Sequence, residues 1–301
     1  MVAGKVDLLR RSWLAFALLG LVQWACTDQS NISFFVLVKS SNYSQDVSGE
    51  LTLLNYHFFS EIFLQPDGRL SAATLTRHDN PDAPMVYEER ENAYYVEGGH
   101  FDTLEDVDAA YPNGTFAFDF GTPDGRERHA ELLLAGPGGR TDIPAPITIS
   151  FEQDGSVVSP ILIDPAKDLV VRWSEYSNGR ADPRGIVDDM IFVVVADCHG
   201  ERLFHTGLPF QGDYVTFRTT EVTVNAGTLN SGQSYSAFVE FPHVVDSRIV
   251  DGVPGFTSYA TATYIDIRTL GEQSDQSCPD VPPPMDTGQT DRMVEVSDSA
   301  R

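Results

Sequence analysis

Between residues 30 and 270, apolar and β-branched runs of five to nine residues alternate with clusters of Gly, Pro, Asn and Asp. Almost no stretch sustains a helical period, so the pattern predicts strands. The strongest runs are 32–39, 56–64, 115–120, 131–135, 169–173, 186–196, 235–241 and 259–268. They imply an all-β fold class. One helical candidate, residues 104–111, is only about two turns long and reads as a connector, because so short a helix does not stand alone in water.

Two breaks divide the chain. Residues 136–146 read Gly-Pro-Gly-Gly-Arg-Thr-Asp-Ile-Pro-Ala-Pro, a composition unsuited to a central strand. After Thr269 apolar side chains thin out and a Pro282-Pro283-Pro284 run follows, which leaves little burial to offset the entropy of ordering. A length of 301 residues fits two domains of ~150 residues. The expected organisation is two tandem β-sandwich domains: a first at 30–136, a linker at 137–146, a second at 147–270, then a disordered tail at 271–301. No repeat recurs at a period of roughly 20 to 50 residues, which predicts beads in series and not a solenoid or propeller.

The second unit carries the most specific signal. In Leu229-Asn230-Ser231-Gly232-Gln233-Ser234-Tyr235 a Leu precedes a Tyr across a Gly turn, and an alternating strand follows. This resembles the tyrosine corner of a fibronectin type III domain, an immunoglobulin-like β-sandwich. The resemblance implies that Tyr235 packs on the core while its hydroxyl bonds back to the upstream chain, with Leu229 at the start of the arch. It also implies that residues 168–174 form the family's second strand, with Trp173 filling the core. Residues 191–196 would be the next buried strand and 257–268 the last. The likeness spans roughly residues 143–270; Ser231 stands where that family often has Pro, and the 178–189 loop is long. In the first unit, residues 108–118 also pass through a Pro112-Asn113-Gly114 turn into an alternating aromatic strand.

At the front, Lys5, Arg10 and Arg11 precede an apolar run at 13–22 that is too short to cross a bilayer, so residues 1–26 read as an export signal. Ala25-Cys26 followed by Thr27-Asp28 resembles the cleavage site of a bacterial lipoprotein signal, which implies lipidation of Cys26 and a membrane anchor. Gln23 and Trp24 depart from that pattern, and plain secretion with cleavage nearby is the alternative. Either route places the folded part at the outer membrane or cell surface, in the periplasm or outside the cell. In an oxidising compartment Cys198 and Cys278 are a candidate disulfide pair, with two free thiols as the alternative.

Charge then removes several functions. With 44 acidic against 20 basic side chains the net charge is -24, which excludes the basic face that nucleic acids require and disfavours anionic lipid. The histidines, His57, His78, His100, His129, His199, His205 and His243, are scattered and form no His-Glu-x-x-His pair. The acidic clusters at 102–108 and 79–82 lack the order of a calcium loop, and no Gly-x-Ser-x-Gly elbow or phosphate-cradling loop is present. Glu88-Glu89-Arg90-Glu91 and Asp188-Asp189 read as solvated charge. The triplets at Asn31, Asn42 and Asn113 would accept glycans only in a eukaryotic secretory route. No catalytic residue, cofactor or metal is assigned.

Aromatic residues outside the strand-like runs, Tyr43, Tyr94, Tyr95, Tyr176, Phe210 and Tyr214, are left for loops, where ring faces stack on sugars. The function this supports is non-catalytic: an exported surface or periplasmic protein that binds an unknown protein or glycan, for adhesion or scaffolding, through sandwich loops. The alternatives are a carbohydrate-recognition accessory module and a secreted hydrolase using acidic residues.

Overall fold

The computed structural model describes residues 31–90, 92–123, 125–135, 143–211 and 214–272. The leader, Cys26, residues 137–142 of the linker, Cys278 and the tail beyond Glu272 lie outside the described residues.

The first half of the chain forms β1 (Ile32–Gln45), β2 (Leu51–Leu64), β3 (Ala72–Arg77), β4 (Asn80–Val86), β5 (Glu88–Arg90), β6 (Ala93–Phe101), α1 (Leu104–Ala110), β7 (Gly114–Gly121) and β8 (Glu127–Leu134). The second forms β9 (Ile149–Gln153), β10 (Ser156–Val158), β11 (Leu169–Trp173), β12 (Met190–Asp197), β13 (Arg202–His205), β14 (Val215–Thr216), β15 (Glu221–Val224), β16 (Ser234–Val250) and β17 (Val253–Arg268). The protein is almost entirely β, and its sheets pack in sandwich-like layers. The short helix falls where the sequence predicts a connector, with Thr103 as N-cap accepting from the Asp106 N–H.

The strands do not sort into two independent beads. One nine-stranded sheet runs β13-β12-β16-β17-β1-β2-β6-β5, with β14 also on β12, and so draws from both sides of the linker. Its centre is a parallel pairing of β1 with β17, in register from Phe35 opposite Gly255 to Gln45 opposite Ile265. Two four-stranded sheets, β4-β3-β7-β8 and β10-β9-β11-β15, complete the fold. The boundary expected at 137–146 is therefore crossed by the sheet, for a physical reason: β16 and β17 are 17 and 16 residues long, enough to serve both ends.

Strand alternation shows how one sheet supports two cores. On β17, Val253 and Tyr259 belong to a core shared with Phe116, Phe118 and Leu132 of the first small sheet. Farther along the same face, Ile265 and Ile267 join Phe151, Val171 and Trp173 of the second. The intervening side chains Phe256, Ala260, Ala262 and Tyr264 point the other way, into a third core with Phe34, Val36, Phe192 and Phe238. Phe210, from the segment before β14, closes over part of that face, its ring 5.6 Å from Phe34 and 6.4 Å from Phe256.

Between the apolar zones the central strands are polar yet buried. Lys39 has no exposed side-chain surface, and its ammonium donates to Asp108 at 2.6 Å, the Tyr111 carbonyl at 2.8 Å and Asn113 Oδ1 at 3.2 Å. Burial pulls its pKa below the ordinary lysine value, and Asp108 offsets part of that fall. Tyr259 donates to the same Asn113 oxygen at 2.6 Å, so sheet, helix end and β7 meet at one polar node. The Gln45 amide spans the N–H and C=O of Ile149, both at 2.7 Å, and Thr261 donates to the Pro144 carbonyl at 2.5 Å. These contacts satisfy backbone groups of the linker exit that no ladder serves.

Tyr235 is buried among Leu229, Trp173 and Ile267, and its hydroxyl accepts from the Asn230 N–H at 2.7 Å while donating to Gln233 Oε1 at 2.8 Å. Tyr235→Phe leaves that N–H without its acceptor and is expected to lower stability by about 1 kcal/mol; an unchanged urea midpoint would show that the corner contributes nothing.

Glu240 lies opposite Ala262 and Phe192 on the third core's face, and neither carboxyl oxygen has a hydrogen-bond partner among the described residues. Burial pushes this carboxyl from 4.5 up to about 8. The folded protein therefore keeps a proton that the unfolded chain releases, and stability falls as pH rises from about 4.5 to about 8, by up to roughly 1.4 kcal/mol per pH unit. Glu240→Gln should remove this slope, leaving the variant more stable than the parent at pH 8 and close to it at pH 4. Thermal unfolding of both proteins across that range tests this, and parallel profiles would contradict it.

Candidate functional site

The sequence's acidic candidates are mostly occupied with structure. Asp79 takes Arg77 through two bonds at 2.9 and 2.8 Å, Asp106 serves the α1 cap, and Asp108 takes Lys39. Asp189, expected as solvated charge, is buried: it accepts the N–H of Arg180 and of Val244, each at 2.8 Å, and ties the 178–189 loop to β16. Asp188 pairs with Arg218 at 2.8 Å. Glu88 and Glu89 stay exposed on β5.

The aromatic platform also dissolves. Tyr94 and Tyr95 sit on β6 and are buried, while Tyr176 stacks on Phe241 at 4.2 Å inside the second core. Phe210 and Tyr214 pack against the third core, and Tyr43 is half-buried on β1. Tyr43 lies where β1 runs on past its apolar stretch, Tyr94 and Tyr95 lie on a strand without a long apolar run, and Tyr176, Phe210 and Tyr214 lie between strands and pack on the cores. Asn42 is buried and bonded to Asn55 at 2.8 Å, whereas Asn113 is exposed with its Oδ1 accepting from Lys39 and Tyr259.

Two surface depressions stand out. One, about 410 Å³, lies along β3, β7 and β8 and includes Ser71, Asp119, Arg128 and His129. His129 there meets carboxylates at both nitrogens, Asp119 at 2.6 Å and Glu131 at 3.6 Å. The Asp119 hydrogen bond leads in raising its pKa.

The other is a groove of about 360 Å³ between the β1–β2 turn and the β9–β10 hairpin, lined by Val47, Thr148, Phe151, Val157, Val158 and Pro160. The turn is built by Asp46, whose carboxylate accepts from the N–H groups of Ser48 and Glu50 at 2.8 and 2.9 Å, with Gly49 at φ +90°. That geometry leaves Val47 60% exposed, facing a hairpin whose Val157 is 74% exposed; Ile161 and Leu162 next to it are also exposed. β10 is an edge strand of its sheet.

One constellation was not legible in the spacing of residues. His57 on β2 lies opposite His100 on β6, and His57 Nε2 is 2.8 Å from Glu97 Oε1. The signal available was Glu97-Gly98-Gly99-His100, a pair of potential ligands flanking two glycines in a strand, where glycine often marks a bulge.

Among the described residues no helix is long and apolar enough to cross a membrane. No family model matches the chain, and no curated protein matches it. Solved structures similar to it include the FN1–FN3 domains of chicken CNTN1, at 9% identity over 81% of this chain and 67% of that one, with a TM-score of 0.23. The IG1+IG2 pair of DIP-gamma aligns at 9% identity over 78% and 95%, with a TM-score of 0.19. A Salmonella alpha-2-macroglobulin mutant aligns at 11% over 81% and 15%, with a TM-score of 0.20. Likenesses at that level leave function to be argued from this chain's own geometry.

Cys198 lies in the turn after β12 and is disulfide-bonded, whereas Cys278 lies outside the described residues. If these two are partners, Cys278→Ser leaves Cys198 open to alkylation in the oxidised protein. Mass spectrometry of the alkylated variant reads this, and a protected Cys198 would assign the bond elsewhere.

Proposed function

We propose that the protein is a non-catalytic, exported binding protein whose contact end is the groove between the β1–β2 turn and the β9–β10 hairpin, and whose partner is an extended protein segment. The observation that carries this reading is the group of exposed apolar side chains at that groove, Val47 and Val157 foremost. Apolar side chains held out on two tight turns favour a partner that covers them. The free edge of β10 offers main-chain pairing beside them, as in strand addition. A glycan is less well served, because the aromatic side chains suited to sugar stacking are buried or half-buried against the cores. The leader-like start supports export, with Cys26 as lipid anchor or a cleavage site close by. The unit at 147–270 is read as fibronectin type III-like on the strength of Trp173, Leu229 and the Tyr235 arch.

Selection of a displayed peptide library on the purified protein tests the reading. Enriched peptides should lose at least about tenfold in affinity for the Val47→Asp/Val157→Asp variant, since each substitution puts a charge where apolar surface would be covered. Peptides indifferent to that pair, glycan-array binding that survives it, or substrate turnover by the unmodified protein would each overturn it.

A further inference from the structure

The edge of the central sheet at β2 and β6 holds groups that protein structure alone does not satisfy. His57 has no exposed side-chain surface, and its Nδ1 has no partner among the described residues; nor have Nδ1 and Nε2 of His100. The two imidazoles are stacked with centroids 4.1 Å apart at 8°. Leaving a buried polar nitrogen unpaired costs about 1–3 kcal/mol, and an ion bound here would take up one of the two on His100.

The backbone explains how they meet. Residues three apart on a regular strand point to opposite faces, so Glu97 and His100 should be separated by the sheet. The ladder, however, pairs His57 with His100 and Phe59 with Glu97, so two residues of β6 oppose one of β2. This β-bulge returns Glu97 and His100 to the same face as His57. Gly99 takes φ +99°, and its N–H donates to Glu97 Oε1 at 2.8 Å, which holds the carboxylate toward the imidazoles. A Cβ at Gly98 would lie 2.3 Å from the Phe58 ring and 2.6 Å from its carbonyl oxygen, so the close approach of the two strands requires glycine there.

We propose that His57, Glu97 and His100 form a binding site for a divalent transition-metal ion of the zinc type. One ligand atom from each residue already lies within 4.8 Å of the other two. Bonds of ~2.0–2.2 Å in tetrahedral arrangement need these atoms to draw together to roughly 3.3 Å, a movement of side-chain torsions. Two imidazoles and one carboxylate suit zinc, copper or nickel, and disfavour magnesium and calcium, which take oxygen. The ion takes the place of the hydrogen between His57 Nε2 and Glu97 Oε1, and the His57 ring then carries its hydrogen on Nδ1. Glu97 is the open side of the site, its side chain 32% exposed, so the ion reaches it from solvent and keeps a fourth position there. Neighbouring histidines are not equivalent: His129 and His78 share Glu131 at 3.6 and 3.5 Å, but both are exposed and screened by water.

The test uses the full-length, untagged protein, stripped with chelator and titrated with zinc chloride by calorimetry, with native mass spectrometry for stoichiometry. One zinc per chain at micromolar affinity or better is expected, and cobalt substitution should give the visible absorption of a tetrahedral site. His100→Ala, at the less buried position, should weaken binding by more than the roughly 10–100-fold typical of losing a mere supporting contact. Glu97→Gln should weaken it as well, and His129→Ala should leave it unchanged. Circular dichroism and thermal unfolding of the metal-free proteins verify that each variant is folded. Absence of zinc binding by the parent protein, binding unaffected by His100→Ala, or calcium binding as tight as zinc would overturn the proposal.

Discussion

The parallel ladder between β1 and β17 is the constraint on which the architecture rests. Its two strands are the first and last of the described chain, and each carries its own antiparallel neighbour, β2 on one side and β16 on the other. Without that ladder the sheet would fall into two halves, each with an exposed edge of long, apolar strand. With it, a single layer carries the first small sheet near the Val253 end of β17 and the second near the Ile267 end. Both small sheets thus pack on one continuous layer.

Length has a chemical consequence for the same strands. A strand that serves two cores must cross the zone between them, where the chain passes from β8 towards β9 and backbone groups need partners. Gln45, Thr257 and Thr261 occupy that zone and bond to Ile149, Leu133 and Pro144 on either side of the crossing, while Lys39 reaches the end of α1 and Ser41 bonds to Thr261 within the sheet. Buried polarity is here a docking device between layers, with its donors and acceptors largely matched. Glu240 and His100 lie at the other extreme, with both carboxyl oxygens and both ring nitrogens buried without a hydrogen-bond partner among the described residues.

The strand-like runs, the short connector and the Tyr235 arch were legible because each follows a local rule: alternation, helix length, a Gly turn before an aromatic. The rest was hidden by the same rule applied too strictly. The polar stretch Ser40-Ser41-Asn42-Tyr43-Ser44-Gln45 does not look like a central strand, yet it continues β1 because its partners are supplied from far along the chain. The same blindness cut short β16, whose continuation through His243 and Asp246 is polar and buried. Tyr94 and Tyr95 have no long apolar run around them to mark their strand. Glu97 and His100 could not be paired by counting, since a bulge changes which residues share a face.

The parallel ladder also sets an order of events during biosynthesis. β1 is made first, but its partner on one side arrives only with residues 253–268, so the middle of the sheet cannot close until the strands between them have been made. Contacts of such long sequence separation make for slow folding and a long-lived open edge. A chain built in this way needs its early strands shielded until the last hairpin docks, and a truncation that removes β17 would delete the central seam along with the final strand.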